Sequence, residues 1–280
     1  NKRCAGPLSA TVCPHPYGNQ QTYSTHAGID VAPALQTPNY LFYKFENNPS
    51  ASSVLNCAIP GVGTPTASMT GLTLTPVGQF DSCITGSGVT GAGIVTGWNN
   101  NLGTSSWTIS MWLSATTTTF GYVFGDGGGS FRCFNNGAAG TNAITLRGTG
   151  LTNVDVTGFA SGPVVVHFVY DSALASIKVY KNGVISSTVP QTPLNLTAGT
   201  GFKVGGYTTS AGFTGKLDEF RLYRRALDSA EVAATWNQDI PCGVLTPVTN
   251  INNQVPNFYS LEQNYLNPFN PVTSIRFSIP

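Results

Sequence analysis

The chain has 280 residues, of which 9% are charged, and a formal net charge of +1. An average soluble domain is roughly 25% charged, so this surface must be built from hydroxyls, amides and glycine. Arg221, Arg224 and Arg225 cluster, but no block of like charge offers a nucleic-acid footprint or a polybasic membrane patch, and the apolar runs fall short of the roughly 18 residues a membrane helix needs.

In chain order, residues 1 to 38 come first, with Cys4, Cys13, Pro14, Pro16, Gly28, Pro33 and Pro38. They carry no sustained period and read as an extension laid over a domain. From 39 to 239 short alternating segments follow one another, punctuated by many of the 32 Gly and 18 Pro, as sandwiches and jelly rolls require. The segments are LFYKFEN (Leu41 to Asn47), SSWTISMWLSA (Ser105 to Ala115), VVVHFVYD (Val164 to Asp171), IKVYKNGVIS (Ile177 to Ser186) and FKVGGY (Phe202 to Tyr207). Asn182 and Gly183 supply the two positive-φ residues of a type I′ hairpin turn. GDGGG, Gly125 to Gly129, has no following Lys-Ser/Thr and reads as a loop apex rather than a phosphate cradle.

The segment GKLDEFRLYRRALDSAEVAATWN, Gly215 to Asn237, is a strand followed by a capped helix. Phe220 and Leu222 alternate with Arg221 and Tyr223, so one side of the strand is apolar and the other tolerates charge. Asp228 stands at an N-cap with Glu231 as its capping-box partner, and Val232, Ala233 and Trp236 form an apolar stripe at helical spacing. The five segments and this ending resemble, in order, the bacterial laminin-G-like (concanavalin-A-like) domains, whose central strand usually reads Phe-Thr-Ile-Ser-x-Trp. The resemblance covers about Tyr40 to Asn237 and implies an all-β, two-sheet jelly-roll sandwich with one short helix near its C-terminal end. His167 departs from the pattern, where a small residue is usual, and reads as a local packing variant.

Residues 240 to 280 open with Pro241 and Cys242, pass through the polar TPVTNINNQVPN and reach SLEQNYLNPFNPVTSIRFSIP. The run Asn264, Tyr265, Asn267, Pro268, Phe269, Asn270, Pro271 resembles the start of the C-terminal sorting module of type IX secretion, with Leu266 in place of the usual proline. That implies export to the cell surface of a Gram-negative bacterium. Asn1 is not an initiator Met, in keeping with a precursor that has lost a leader. Ile275, Phe277 and Ile279 alternate with Arg276 and Ser278 as a one-faced assembly strand with no partner of its own.

Six cysteines, Cys4, Cys13, Cys57, Cys83, Cys133 and Cys242, form an even set without a CxxC pair, which suits disulfides in an oxidising compartment better than zinc. Spacing suggests Cys4 with Cys13. Of three pairings open to the other four, Cys57 with Cys83 and Cys133 with Cys242 is the one adopted, with free buried thiols as the alternative.

Catalytic constellations are largely missing. The glucanases of this fold carry Glu-x-Asp-x-(x)-Glu on one strand, whereas Asp218 and Glu219 are adjacent and so are expected on opposite sides. His15, His26 and His167 stand apart, with no GxSxG or HExxH motif. No cofactor is called for; the family implies calcium near the sandwich rim, with Asp81 and Asp126 as candidate ligands but no DxDxDG cluster beside them. Trp112, opposite Trp107, Ile109, Met111 and Leu113 on its strand, and Trp98, beside three asparagines, are the sugar-stacking candidates; each is also readable as a packed ring.

Two functions follow. In the first, the chain is a non-catalytic secreted surface protein, a structural unit of a filament, sheath or matrix, whose partners are copies of itself joined through extended ends. In the second it is a lectin-like adhesion module that binds a surface polysaccharide. Neither involves nucleic acid or direct membrane insertion.

Overall fold

A computed structural model describes residues 37–114, 119–128, 131–137, 139–197 and 199–242, together with four two-residue strands outside them. Two of these, β1 (Cys13–Pro14) and β2 (Gln20–Gln21), pair antiparallel in the N-terminal segment. The chain divides into two compact units, Asn1–Gly243 and Val244–Pro280. In the second, β19 (Ser260–Leu261) pairs with β20 (Phe277–Ser278). The strand expected to lack a partner therefore has one within its own unit; the side chains of Ile275, Phe277 and Ile279 lie outside the described residues.

The first unit is an antiparallel two-sheet sandwich, as its alternating segments and turn residues foretell. One sheet runs β16 (Val184–Pro190), β15 (Ser176–Lys181), β14 (Val164–Asp171), β9 (Trp107–Leu113), β18 (Thr214–Tyr223), β7 (Ser82–Ser87), β6 (Leu72–Pro76), with β3 (Leu41–Tyr43) also on β18. The other runs β13 (Leu151–Thr157), β12 (Ala143–Gly148), β11 (Phe131–Asn135), β10 (Gly121–Gly125), β17 (Lys203–Val204), β8 (Gly93–Val95), β5 (Thr66–Thr70), β4 (Ser53–Leu55). The β15–β16 turn holds Asn182 at φ 49° and Gly183 at φ 79°, as expected of those residues. Trp236 lies where a Cβ on Gly183 would be, 2.2 Å from Cδ1, so that turn needs glycine twice over.

Between the sheets lie Trp107, Ile109, Met111 and Leu113 of β9, and Val166, Phe168 and Tyr170 of β14. Across from them are Phe124, Phe131, Cys133, Ile144 and Leu146. Trp107 meets Phe131 edge-on at 5.0 Å, and Phe124 lies 5.6 to 5.7 Å from Phe131, Phe202 and Phe220.

The outer face of the β9 sheet is also buried. The helix α1 (Ser229–Thr235) starts with the expected capping box, Asp228 and Glu231 satisfying each other's backbone N–H. Its Val232 and the preceding Leu227 pack on Val169, Tyr180 and Tyr223. Ala233, expected in the stripe, is exposed, and Thr235 is buried instead. After the helix, Ile240 packs on Phe42, Cys57 and Ala58, and Cys57 is bonded to Cys242. Residues 240 and 242 thus belong to the jelly roll rather than to a linker.

This pairing corrects the expected disulfides. Cys83 and Cys133 are free and buried, on different sheets: Cys133 points into the core, whereas Cys83 contacts Thr75 Oγ1 on its neighbouring strand. Cys4 with Cys13 lies outside the described side chains. The Cys57–Cys242 cross-link, with a sequence separation of 185, restricts the unfolded chain and stabilises the fold by about 5 kcal/mol.

Charge is buried under the same cover. Along β18 the partner changes from β7 (Thr214 to Leu217) to β3 (Phe220 to Leu222), and a bulge between Asp218 and Arg221 leaves Glu219 at φ 50°. Arg221 donates to Glu219 Oε2 (Nε at 3.0 Å), to Thr235 O at 2.9 Å and to Gln238 O at 2.8 Å. Asp218 accepts from the backbone of Gln79, Phe80 and Glu219. Lys44, at the end of β3, meets Asp239, Glu46 and Glu219. His167 is buried beside this group, and burial followed by the charge of Arg221 pulls it down to about 3.

Two outcomes can be measured. Alkylation and peptide mapping without reductant should find Cys83 and Cys133 unreactive in the native protein and reactive once it is denatured, with Cys57 and Cys242 recovered as one linked peptide; recovery of a Cys57–Cys83 peptide would contradict the fold.

The second outcome concerns pH. Burial first, then neighbouring carboxylates, pushes Glu46 up to about 7 and Asp218 up to about 8, outweighing Lys44 and the backbone donors. Both therefore keep protons in the folded chain that the unfolded chain loses near pH ~4. The folded state binds more protons across that window, so its stability falls as pH rises from about 4 to about 8. His167 acts at the acid end, where the unfolded chain takes a proton below about 6.5 that the folded chain refuses. In the ion-paired form burial lowers Lys44, but the hydrogen bond to Asp239 and the charges of Glu219 and Glu46 outweigh it and raise it. The melting temperature should be higher near pH 6 than near pH 9, with a shallower alkaline decline in Asp218→Asn. A rise between those two values would contradict the assignment.

Candidate functional site

The structure removes both tryptophans from the solvent-facing candidates. Trp98 is 4% exposed, wedged edge-on between Tyr40 (5.8 Å) and Phe202 (5.1 Å), and its Nε1 donates to Asn101 Oδ1 at 3.0 Å. The run of asparagines that suggested an exposed loop instead ties the ring down. Trp112 faces away from the core, as expected, but is buried on the covered face between Val165 and Asp218.

The calcium candidates stand on turns of different sheets. Asp81 is exposed at φ 51° in the β6–β7 turn, and Asp126 is fully buried after β10, where it accepts from Asn100 Nδ2 at 3.2 Å. Among the described residues the acidic group that gathers is neither of these but Glu46, Asp218 and Glu219, with carboxylate oxygens within 4.8 Å of one another. Adjacency in sequence implied opposite sides for Asp218 and Glu219, and the bulge overturns that by turning Glu219 toward Asp218. Lys44 and Arg221 already supply positive charge to the trio, and Asp218 and Glu219 are sealed from solvent. Asp218 lies against the backbone of Gln79 and Phe80, and Glu219 against Arg221, so neither carboxylate is open to a glycosidic bond in this arrangement.

A shallow pocket at the start of α1, lined by Val169, Asp171, Lys178, Leu227 and Asp228, has its acids committed to capping: Asp171 accepts from the N–H of Ala173 and Leu174, and Asp228 from Glu231.

The outer face of the β10 sheet differs. Tyr122 of β10 and Tyr207, just after β17, lie with ring centroids 4.6 Å apart and planes 32° apart, both half-buried. Phe120, 39% exposed, meets Tyr122 edge-on at 5.1 Å, and Phe134 supports both from 5.6 and 5.8 Å. Arg132 lies over the Tyr207 ring at 5.9 Å. Two glycines permit this. A Cβ on Gly125 would come 2.7 Å from Cδ2 of Tyr207, and one on Gly137 2.0 Å from Cε2 of Phe134. Thr119, beside Phe120, is held through its carbonyl by Asn135, Asn136 and Thr214. Half-buried rings held beside one another in this way can stack on a flat, weakly polar ligand while tyrosine hydroxyls offer hydrogen bonds.

Sequence reasoning missed this group because its members are scattered: Tyr122 and Tyr207 are 85 positions apart and meet through β10–β17 pairing. Alternation in GYVFG and FRCFN (121–125 and 131–135) could have signalled an outward Tyr122 and Phe134, but the partner strand could not be read.

The model of the laminin-G family described as the concanavalin A-like lectin/glucanases superfamily matches residues 88–233. No curated protein matches the chain in sequence. Among solved structures, domain 4 of AbnA, a GH43 extracellular arabinanase from Geobacillus stearothermophilus in complex with arabinotriose, is 21% identical; the match covers 72% of this chain and all of that one, with a TM-score of 0.50. The binding domain of Paraclostridial Mosquitocidal Protein 1 is 14% identical over 69% of this chain (TM-score 0.48), and the binding domain of botulinum neurotoxin serotype D 10% identical over 70% (TM-score 0.48). This chain spans half the length of each of those two toxin domains. The family match takes in β9 through β18 and the capped helix, the elements that build the core and its cover, and on it the chain belongs to the concanavalin A-like lectin/glucanases superfamily.

Proposed function

We propose that this chain is a non-catalytic extracellular module that binds neutral polysaccharide through the aromatic platform of Tyr122, Tyr207 and Phe120. The observation that carries the reading is the half-buried Tyr122–Tyr207 pair, with Phe134 behind Tyr122 and the exposed Phe120 beside it. The C–H face of a sugar ring loses little on leaving water and packs on such rings, while its hydroxyls need donors and acceptors at the edge. The low charge of the chain favours an uncharged glycan over an acidic one. A single-domain likeness with arabinotriose bound supports a sugar of that kind through fold alone. The Cys57–Cys242 cross-link and the resemblance to a type IX sorting module favour export from a Gram-negative cell. Among the described residues, no helix is long and apolar enough to cross a membrane.

One observation favours the structural reading as well. β16 is an edge strand with Val184 69% and Ile185 50% exposed, the kind of margin to which another copy can add a strand. In that reading the extended ends join copies into a filament, sheath or matrix.

Binding to arabinan and other neutral polysaccharides, measured by titration calorimetry, should weaken about tenfold on Tyr122→Ala or Tyr207→Ala, with melting temperature little changed. Affinity that survives the double substitution would remove the platform from the proposal. For assembly, negative-stain images of a chain carrying Val184→Lys and Ile185→Lys should show lost polymers and an intact core; unchanged polymers would exclude strand addition at that edge.

A further inference from the structure

Lys44 and Asp239 are 195 residues apart in sequence, and the Lys44 amine is in contact with Asp239 Oδ1. The Lys44 side chain is 9% exposed, and two further carboxylates flank its amine: Glu46 Oε2 at 3.4 Å and Glu219 Oε1 at 3.8 Å. The Oε1 atoms of Glu46 and Glu219 are buried without a hydrogen-bond partner. A plain ion pair needs one carboxylate for one amine. Here three surround it, and two carry an acceptor atom that nothing occupies.

The reacting pair is also held in place. Lys44 directly follows β3, which is locked to β18. Asp239 is fixed between Gln238, whose carbonyl accepts from Arg221, and the buried Ile240. Such placement is what turns a slow encounter of amine and acid into an intramolecular step.

We propose that Lys44 and Asp239 form an intramolecular amide, Lys44 Nζ bonded to Asp239 Cγ, with Glu46 and Glu219 carrying the protons. The ion pair already contains every atom required. The ammonium passes one proton to a glutamate, and the Asp239 carboxylate takes up that proton through the same relay. The neutral amine then attacks Cγ, using its lone pair to form the C–N bond. One carbonyl oxygen becomes a hydroxyl, takes the second proton from nitrogen through the glutamates and leaves as water as the C–O bond breaks. Ammonium plus carboxylate thus gives amide plus one water, with no oxidant, nucleotide or metal.

The position of Glu46, pushed up to about 7 chiefly by burial, suits a group that must both accept and return a proton near neutrality. Asp239, with its side chain 60% exposed, leaves the departing water a way out. The bond would tie the same two segments as Cys57–Cys242, which would then be a second covalent closure rather than the sole one.

Intact-mass spectrometry of the purified, reduced and denatured chain tests this. The expected mass is below that of the sequence by one water, and proteolysis should release a branched peptide joining Lys44 to Asp239. Asp239→Ala should restore the full sequence mass; Glu46→Gln and Glu219→Gln, checked for folding by circular dichroism, should slow or abolish the loss of water. A wild-type chain at its full sequence mass overturns the proposal. So does a branched peptide at any other pair of residues. Full cross-linking in both glutamine variants would remove the glutamates from the chemistry.

Discussion

Arg221 is 2% exposed and, as a guanidinium, cannot shed its charge on burial. Whatever covers the outer face of the β9 sheet must therefore present acceptors to it. The chain supplies the Thr235 and Gln238 carbonyls, and Glu219 turned toward it by a bulge. This fixes the path from the end of α1 to residue 242: the helix must stop where Thr235 can turn its carbonyl inward, and the following residues must run close over β18. The Lys44–Asp239 contact, the packing of Ile240 and the disulfide at Cys242 all lie downstream of that requirement. Removing one partner of such a group leaves a buried charge uncompensated, which is costlier than never having buried the pair.

The cover makes the two sheets unequal. On one, the outer face carries Phe42, Trp112, Val165, Val169, Tyr180 and Tyr223, all buried. On the other, Ser68, Val95, Arg132 and Lys203 face outward, with aromatic rings gathered at Tyr122 and Tyr207. The aromatic group therefore lies on one sheet, and the acidic trio lies on the other, engaged with cations. The charges of Lys44, Glu46, Asp218, Glu219 and Arg221 are gathered on the covered side.

What was legible in the sequence was local. The Asn182–Gly183 turn and the Asp228 capping box rest on backbone conformations set within four residues, and alternation in WTISMWL (107–113) separated core from cover. What was not legible depends on which strands become neighbours. Cys57 finds Cys242 because the β3 region and the chain end share one face of β18, a pairing that spacing could not select. The bulge at Glu219 breaks the period-two rule from which opposite sides were inferred for Asp218 and Glu219. Trp98 fails as an exposed ring because one of the asparagines that marked it as a loop residue is its hydrogen-bond partner.

The location of the closures bears on how the domain resists force. Cys242 stands at the very end of the first unit, which closes at Gly243. Tension entering through the chain beyond that point reaches the Cys57–Cys242 bond before it reaches α1 or the Arg221 contacts, and is passed to the segment that follows β3. Hydrogen bonds loaded one at a time from a free end peel in sequence, each at small cost; behind a covalent tie they must break together with the β3–β18 pairing and the packing of Phe42 beneath. The covalent tie, set where the unit hands over to the rest of the chain, keeps that load off the buried charges that could not survive exposure one by one.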